Sequence, residues 1–110
     1  MTSGSQELTS ISEVLSIGAG LANNETTEKS YLVQGTITSI YNTTYGNMII
    51  CDEQGNELTI YGLYQMDGTR YDGMSTPPKV GDVITVQGPI QKYVSYGSTT
   101  IELYHALWIE

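Results

Sequence analysis

Phenylalanine is absent from this chain, cysteine and histidine occur once each, and lysine and arginine together number four against twelve aspartates and glutamates. Each shortage excludes something. With Cys51 alone no intrachain disulfide can form, and its place at the end of the apolar run Met48–Cys51 suits a small packed hydrophobe better than a reactive or metal-bound thiol. His105, the single histidine, has no orienting partner or nucleophile at any recognisable spacing. Beside Leu103, Ala106 and Leu107 it is expected to be a strand residue with a satisfied hydrogen bond. The formal charge of -8 repels a polyanion, and Lys29, Arg70, Lys79 and Lys92 are scattered singly, so the clustered cations that release counterions from nucleic acid are missing. No apolar run approaches the ~18 residues of a membrane span.

Chemical motifs are missing too. The chain has no glycine-rich phosphate loop, no His/Cys metal cluster and no nucleophile elbow. Asp52, Glu53 and Glu57 surround Gly55, but without the alternating acids of a calcium loop they are expected to form a solvated turn. The sequence therefore points to a protein that is not an enzyme, with no catalytic residue, no cofactor and no metal.

What is abundant is tyrosine, nine of them beside one tryptophan, so nearly all the aromatic bulk carries a polar end suited to half-buried positions. A chain of 110 residues is one domain in size and should bury about 60–70% of its unfolded surface. Residues 1–9, opening Met1-Thr-Ser-Gly-Ser5, are expected to be a disordered start or a cloning remnant, and residues 10–110 a single domain. Ser10 and Glu13 stand in capping-box spacing before Ile11, Val14, Leu15 and Leu21, which share one stripe, so a helix is expected over 10–22, weakened by Gly18 and Gly20. A polar connector, 23–30, follows.

From residue 31 the pattern becomes β-rich. Five strands are expected at Tyr31–Tyr41, Tyr45–Asp52, Glu57–Tyr64, Val83–Tyr93 and Thr99–Ile109. The first carries Val33, Gly35 and Ile37 on one face, with a bend at Gly35. Asp52 to Asn56 makes a hairpin turn through Gly55-Asn56. Residues 65–80, with Asp67-Gly68, Asp72-Gly73 and Pro77-Pro78, form a long loop. Five strands, a bent first strand and a wide gap after the third point to an all-β fold, a five-stranded Greek-key barrel of the OB type over 30–110 preceded by the helix.

Gly35-Thr-Ile37, Tyr45-Gly-Asn-Met48, Asp52-Glu53, Tyr61-Gly-Leu-Tyr64 and Gly81-Asp-Val-Ile-Thr-Val-Gln-Gly-Pro89 resemble a group of bacterial OB-fold domains of uncertain role, found alone or on exported proteins. The resemblance covers about residues 30 to 110. It implies a secreted or envelope-associated location, with any signal segment removed. Where many OB domains have a helix between strands three and four, this chain has its glycine- and proline-rich stretch, and the N-terminal helix is expected to close the barrel end instead.

OB barrels bind on the outward face of strands two and three. If Met48, Ile50, Leu58 and Ile60 point inward, period-two alternation turns Asn47, Ile49, Thr59 and Tyr61 outward, with Tyr41 and Tyr45 at one rim. Cross-strand packing alone would also place tyrosines there. The loop 65–79 adds Arg70 and Tyr71 as candidates, Arg70 being equally suited to local ion pairs with Asp67 and Asp72. Trp108 should anchor the last strand. The expected function is a non-catalytic module recognising a protein surface or a glycan through this face and loop. Single-stranded nucleic-acid binding, which the charge disfavours, is the main alternative, and a structural or oligomerisation role is the third.

Overall fold

The computed structural model describes residues 7–110, so residues 1–6 of the expected disordered start lie outside it. One helix, α1 (Ile11–Ala19), precedes five strands: β1 (Thr26–Asn42), β2 (Asn47–Cys51), β3 (Glu57–Tyr64), β4 (Val83–Ser95) and β5 (Ser98–Trp108). The sheet closes on itself in the order β1-β2-β3-β5-β4, because β1 pairs with β4 along its first two thirds and with β2 along its last third. All neighbours are antiparallel except β3 and β5, which run parallel. Gly35 lies where β1 changes partners, and a Cβ there would stand 3.1 Å from the Cys51 carbonyl oxygen and the Ile50 side chain. At this glycine, where a bend was expected, β2 approaches β1 too closely for a side chain.

Inside the ring, Val33, Ile37, Met48, Ile50, Leu58, Ile60, Ile84, Val86, Ile90 and Leu103 are at most 1% exposed. The alternation proposed for β2 and β3 holds, with Met48 opposite Ile60 and Ile50 opposite Leu58. The two ends of the ring are closed by different segments. At the end where β5 starts and β4 finishes, α1 sends Ile11 and Val14 into the core, with Leu15 and Leu21 packed against it. Ser10 caps the helix by accepting a hydrogen bond from the Glu13 amide, 3.1 Å. Gly18 does more than weaken the helix: it is buried, and a Cβ on it would collide with Ile101. The helix stops at Ala19, before the expected 22, and Lys92 Nζ donates to the carbonyls of Ala19 and Leu21 at that negative end.

At the opposite end lies the long 65–80 segment. Its single 3-10 turn, Tyr71–Gly73, and Met74 insert Tyr71 and Met74 into the core cluster. The Tyr71 hydroxyl donates to the Pro78 carbonyl, 2.8 Å, while Arg70 pairs with Asp72 through both Nε and Nη2. The ion pair expected of Arg70 thus forms with Asp72, whereas the Asp67 carboxylate accepts from the Thr69 amide.

Other boundaries differ from the sequence expectation too. Leu8 already bridges to Leu32 and Thr9 N donates to the Leu32 carbonyl, so the ordered chain starts before the helix. β1 begins at Thr26, not Tyr31, because the polar stretch pairs with β4: Thr27 Oγ1 accepts from the Ile90 amide beside Pro89, which has no N–H to offer. β2 begins at Asn47 because Asn42 ties up the preceding residues, its side-chain oxygen accepting from the amides of Thr44 and Tyr45. The Asp52–Asn56 turn forms as expected, with Gly55 at φ +88° and the Asp52 carboxylate accepting from the Gln54 and Asn56 amides and the Asn56 side chain. Those bonds, the Asn56 side chain first, hold the Asp52 pKa below its ordinary value. No helix among the described residues is long and apolar enough to cross a membrane.

Candidate functional site

Register builds a site on the outside of the sheet. Ile49 on β2 faces Thr59 on β3, Thr59 faces Glu102 on β5, and Glu102 faces Gln91 on β4, so four outward side chains form one row across four strands. Two residues further along the strands, Tyr61 and Tyr104 are partners on one side of this row; on the other, Tyr93 and Thr100 are partners. Tyr41 from β1 and Asn24 complete the lining of a cleft of about 640 Å³. Asn24 is fixed at its rim, donating its amide to the Lys92 carbonyl and accepting from the Val94 amide. Tyr61 and Tyr104 lie parallel, ring centroids 5.8 Å apart.

Glu102 forms the floor. It is 4% exposed and has no hydrogen-bond partner among the described residues, and burial pushes its carboxyl up to about 7. Tyr41 is also raised, first by burial and then by the neighbouring charge of Glu102. No lysine, arginine or histidine lines the cleft.

A bulge shapes the adjoining wall. Between Leu103 and Leu107, β5 spends one residue more than β4 does between Ile90 and Gln87, and the extra residue falls at His105, whose φ is +52°. Tyr104 and His105 thereby both face outward, their rings stacked at 4.0 Å, with Tyr64 meeting His105 edge-on. His105 is the strand residue expected, but its exposed imidazole belongs to a ring cluster in place of the expected hydrogen bond. Gly62, opposite it at φ +90°, leaves the space the imidazole occupies. A second, smaller pocket of about 230 Å³ opens between Tyr45, Asn47, Tyr61, Tyr64 and His105.

The residues read from the sequence separate accordingly. Tyr41, Ile49, Thr59 and Tyr61 line the main cleft, and Tyr45 and Asn47 line the smaller pocket. Asn47 is not the exposed amide expected: it is 8% exposed, and its side-chain oxygen has no partner among the described residues. Arg70 sits over the Tyr45 ring, 5.1 Å from its centroid, and lines neither cavity. Tyr71, 8% exposed, is a core residue bonded to Pro78 and does not face a ligand. Sequence reading missed the β4 and β5 side of the site. Thr100, Glu102 and Tyr104 alternate with Ile101 and Leu103, so their outward direction was legible; that β5 lies beside β3 was not.

The β4–β5 hairpin ends beside the cleft in Tyr96-Gly97, both at positive φ, as a type I′ turn requires. Tyr96 is fully exposed at φ +51°, where Asn is the favoured residue. Tyr96→Asn is expected to raise stability by about 0.5–1 kcal/mol in urea unfolding. No change would mean that the ring packs on the hairpin and offsets the backbone cost.

No family model matches this sequence, and no curated protein matches it. The chemistry of the cleft therefore has to carry the functional reading.

Proposed function

We propose that this chain is a non-catalytic binding module built on an OB-type barrel, and that its ligand, a segment of a partner protein or a glycan, lies in the tyrosine-framed cleft across β2, β3, β5 and β4. The barrel assignment is supported by the closed order β1-β2-β3-β5-β4 with β3 and β5 parallel. The binding reading rests on one observation: a concave face where four strands bring an aliphatic, two neutral polar and one acidic side chain into a row, with tyrosines on both sides. Such a face offers apolar ring surface and a few oriented polar groups, and among its lining residues Glu102 is the single carboxyl, with no nucleophile and base set against each other.

The loop 65–79 contributes less to this reading than the sequence suggested, since Tyr71 and Met74 are spent on the core. Nucleic acid is disfavoured because all four basic residues are engaged away from the cleft. Lys29 lies over Tyr31, Arg70 pairs with Asp72, Lys79 with Asp82, and Lys92 holds the end of α1.

The test is a 15N-HSQC titration of the domain with unstructured peptides, neutral oligosaccharides and a mixed-sequence single-stranded oligonucleotide. Saturable shifts by a peptide or sugar confined to Ile49, Thr59, Tyr61, Tyr93, Thr100 and Glu102 are expected, and the half-exposed Tyr61→Ala should weaken them by about tenfold, the scale of one lost aromatic contact. Oligonucleotide binding that weakens steeply with salt would put the nucleic-acid reading in its place.

A further inference from the structure

Glu102 is costly where it stands. The residue is 4% exposed, its carboxyl has no hydrogen-bond donor among the described residues, and no cation lines its cleft, so nothing in the surrounding protein offsets its desolvation. Neighbouring positions in the same row show that the fold does not demand an acid: Ile49, Thr59 and Gln91 occupy the equivalent outward places on β2, β3 and β4. Of the cleft's lining residues, Glu102 alone is formally charged at neutral pH, and the four rings around it are all tyrosines. A tyrosine ring presents a negative face and a hydroxyl that can accept a hydrogen bond, both suited to positive charge. The chain as a whole carries a formal charge of -8, a field that gathers cations before contact.

We propose that the cleft is a seat for a cationic side chain, lysine or arginine, of a partner polypeptide, with Glu102 as its counter-ion and Tyr41, Tyr61, Tyr93 and Tyr104 as its aromatic frame. This rests on the reading of the cleft as the ligand site and narrows that ligand to a basic peptide. The missing partner of Glu102 is then supplied by the ligand. A volume of about 640 Å³ holds the basic side chain with some of its flanking backbone, for which Gln91, Thr59, Thr100 and Asn24 provide hydrogen bonds. A neutral sugar would leave Glu102 without a counter-charge.

The two ligand classes respond to pH in opposite ways. Burial raises the Glu102 pKa to about 7, so a cation, which needs the carboxylate, binds more tightly as pH rises through that value. A sugar oxygen accepting a hydrogen bond from the protonated carboxyl binds more weakly. The other titratable groups that line the cleft are the phenols of Tyr41, Tyr61, Tyr93 and Tyr104, and burial raises the Tyr41 pKa above its ordinary value.

The experiment is a 15N-HSQC titration with the peptide acetyl-Ser-Gly-Lys-Gly-Ser-amide, its counterpart with glutamine in place of lysine, and a neutral hexasaccharide, at about pH 5.5 and about pH 8. The expected result is saturation of the cleft resonances by the lysine peptide alone, about tenfold tighter at the higher pH, lost in Glu102→Gln and weakened in the half-exposed Tyr93→Ala. Equal binding of both peptides, unaltered by Glu102→Gln, would overturn the cation seat while leaving the cleft a ligand site. So would saccharide binding that weakens as pH rises. If none of the three probes moves a cleft resonance, both the seat and the underlying reading fall.

Discussion

Gly46→Ala, which adds one methyl group at a buried glycine of the β1–β2 turn, should destabilise the domain by about 2–5 kcal/mol. Gly46 lies between β1 and β2 at φ +78°, its amide donating to the Asn42 carbonyl, so alanine there bears the steric cost of a left-handed conformation, about 1–2 kcal/mol. The new Cβ would also stand 2.7 Å from the Tyr71 Cβ and 2.8 Å from its Cγ. Tyr71 cannot yield easily, because it is buried, its hydroxyl is bonded to Pro78, and the next amide, Asp72, donates to the Thr44 carbonyl of the same turn. Overpacking of this kind adds about 1–3 kcal/mol. Gly55→Ala is the control: its φ is +88°, but no atom lies within 4 Å of the added Cβ, so only the conformational cost applies. Urea midpoints for the two variants separate the contributions. Equal losses would show that the loop after β3 does not bear on the β1–β2 turn, and the closure of that end of the ring would need another explanation.

That contact also shows where sequence reading reached its limit. Local signals were legible because local chemistry decides them: the Ser10 cap, the Asp52–Asn56 hairpin and the inward set of Met48, Ile50, Leu58 and Ile60 all follow from neighbours in the chain. Tyr71 was misread because nothing within a few residues announces that a glycine 25 positions earlier leaves room for its ring. Asn47, expected as an exposed amide, is buried beside Tyr45, Tyr61, Tyr64 and His105. The start of β1 was missed since Thr26 to Ser30 look like a connector until β4 pairs with them. Half of the cleft was missed for the same reason. Glu102 and Gln91 become neighbours of Thr59 only through the parallel docking of β5 on β3, a long-range pairing that leaves no mark on period-two alternation.

Glu102→Gln is expected to make the free domain more stable at about pH 8, by up to about 3 kcal/mol, and to leave it unchanged at about pH 4. The sign follows from the direction of the shift. The carboxyl is held to about 7 in the folded chain, against an ordinary 4.5, so between those values the folded state binds the proton more often than the unfolded one. Wild-type stability therefore falls as pH climbs from about 4.5 to about 7 and then levels off, whereas glutamine, which mimics the protonated carboxyl, removes the slope. Asp52, Asp67 and Asp72 work in the other direction at lower pH. Their pKa values are lowered, chiefly by hydrogen bonds from Asn56, Thr69 and Arg70, so what they contribute is lost only as pH drops below the ordinary carboxylate range. Urea midpoints of both proteins from about pH 2 to about pH 8 resolve the two regimes. A flat wild-type profile between about pH 5 and about pH 8 would mean that water in the cleft already solvates the carboxylate, removing the desolvation cost on which the cation seat is argued. A wild type that loses stability with rising pH, beside a more stable variant that no longer holds the lysine peptide, would locate in one side chain the trade of fold stability for binding.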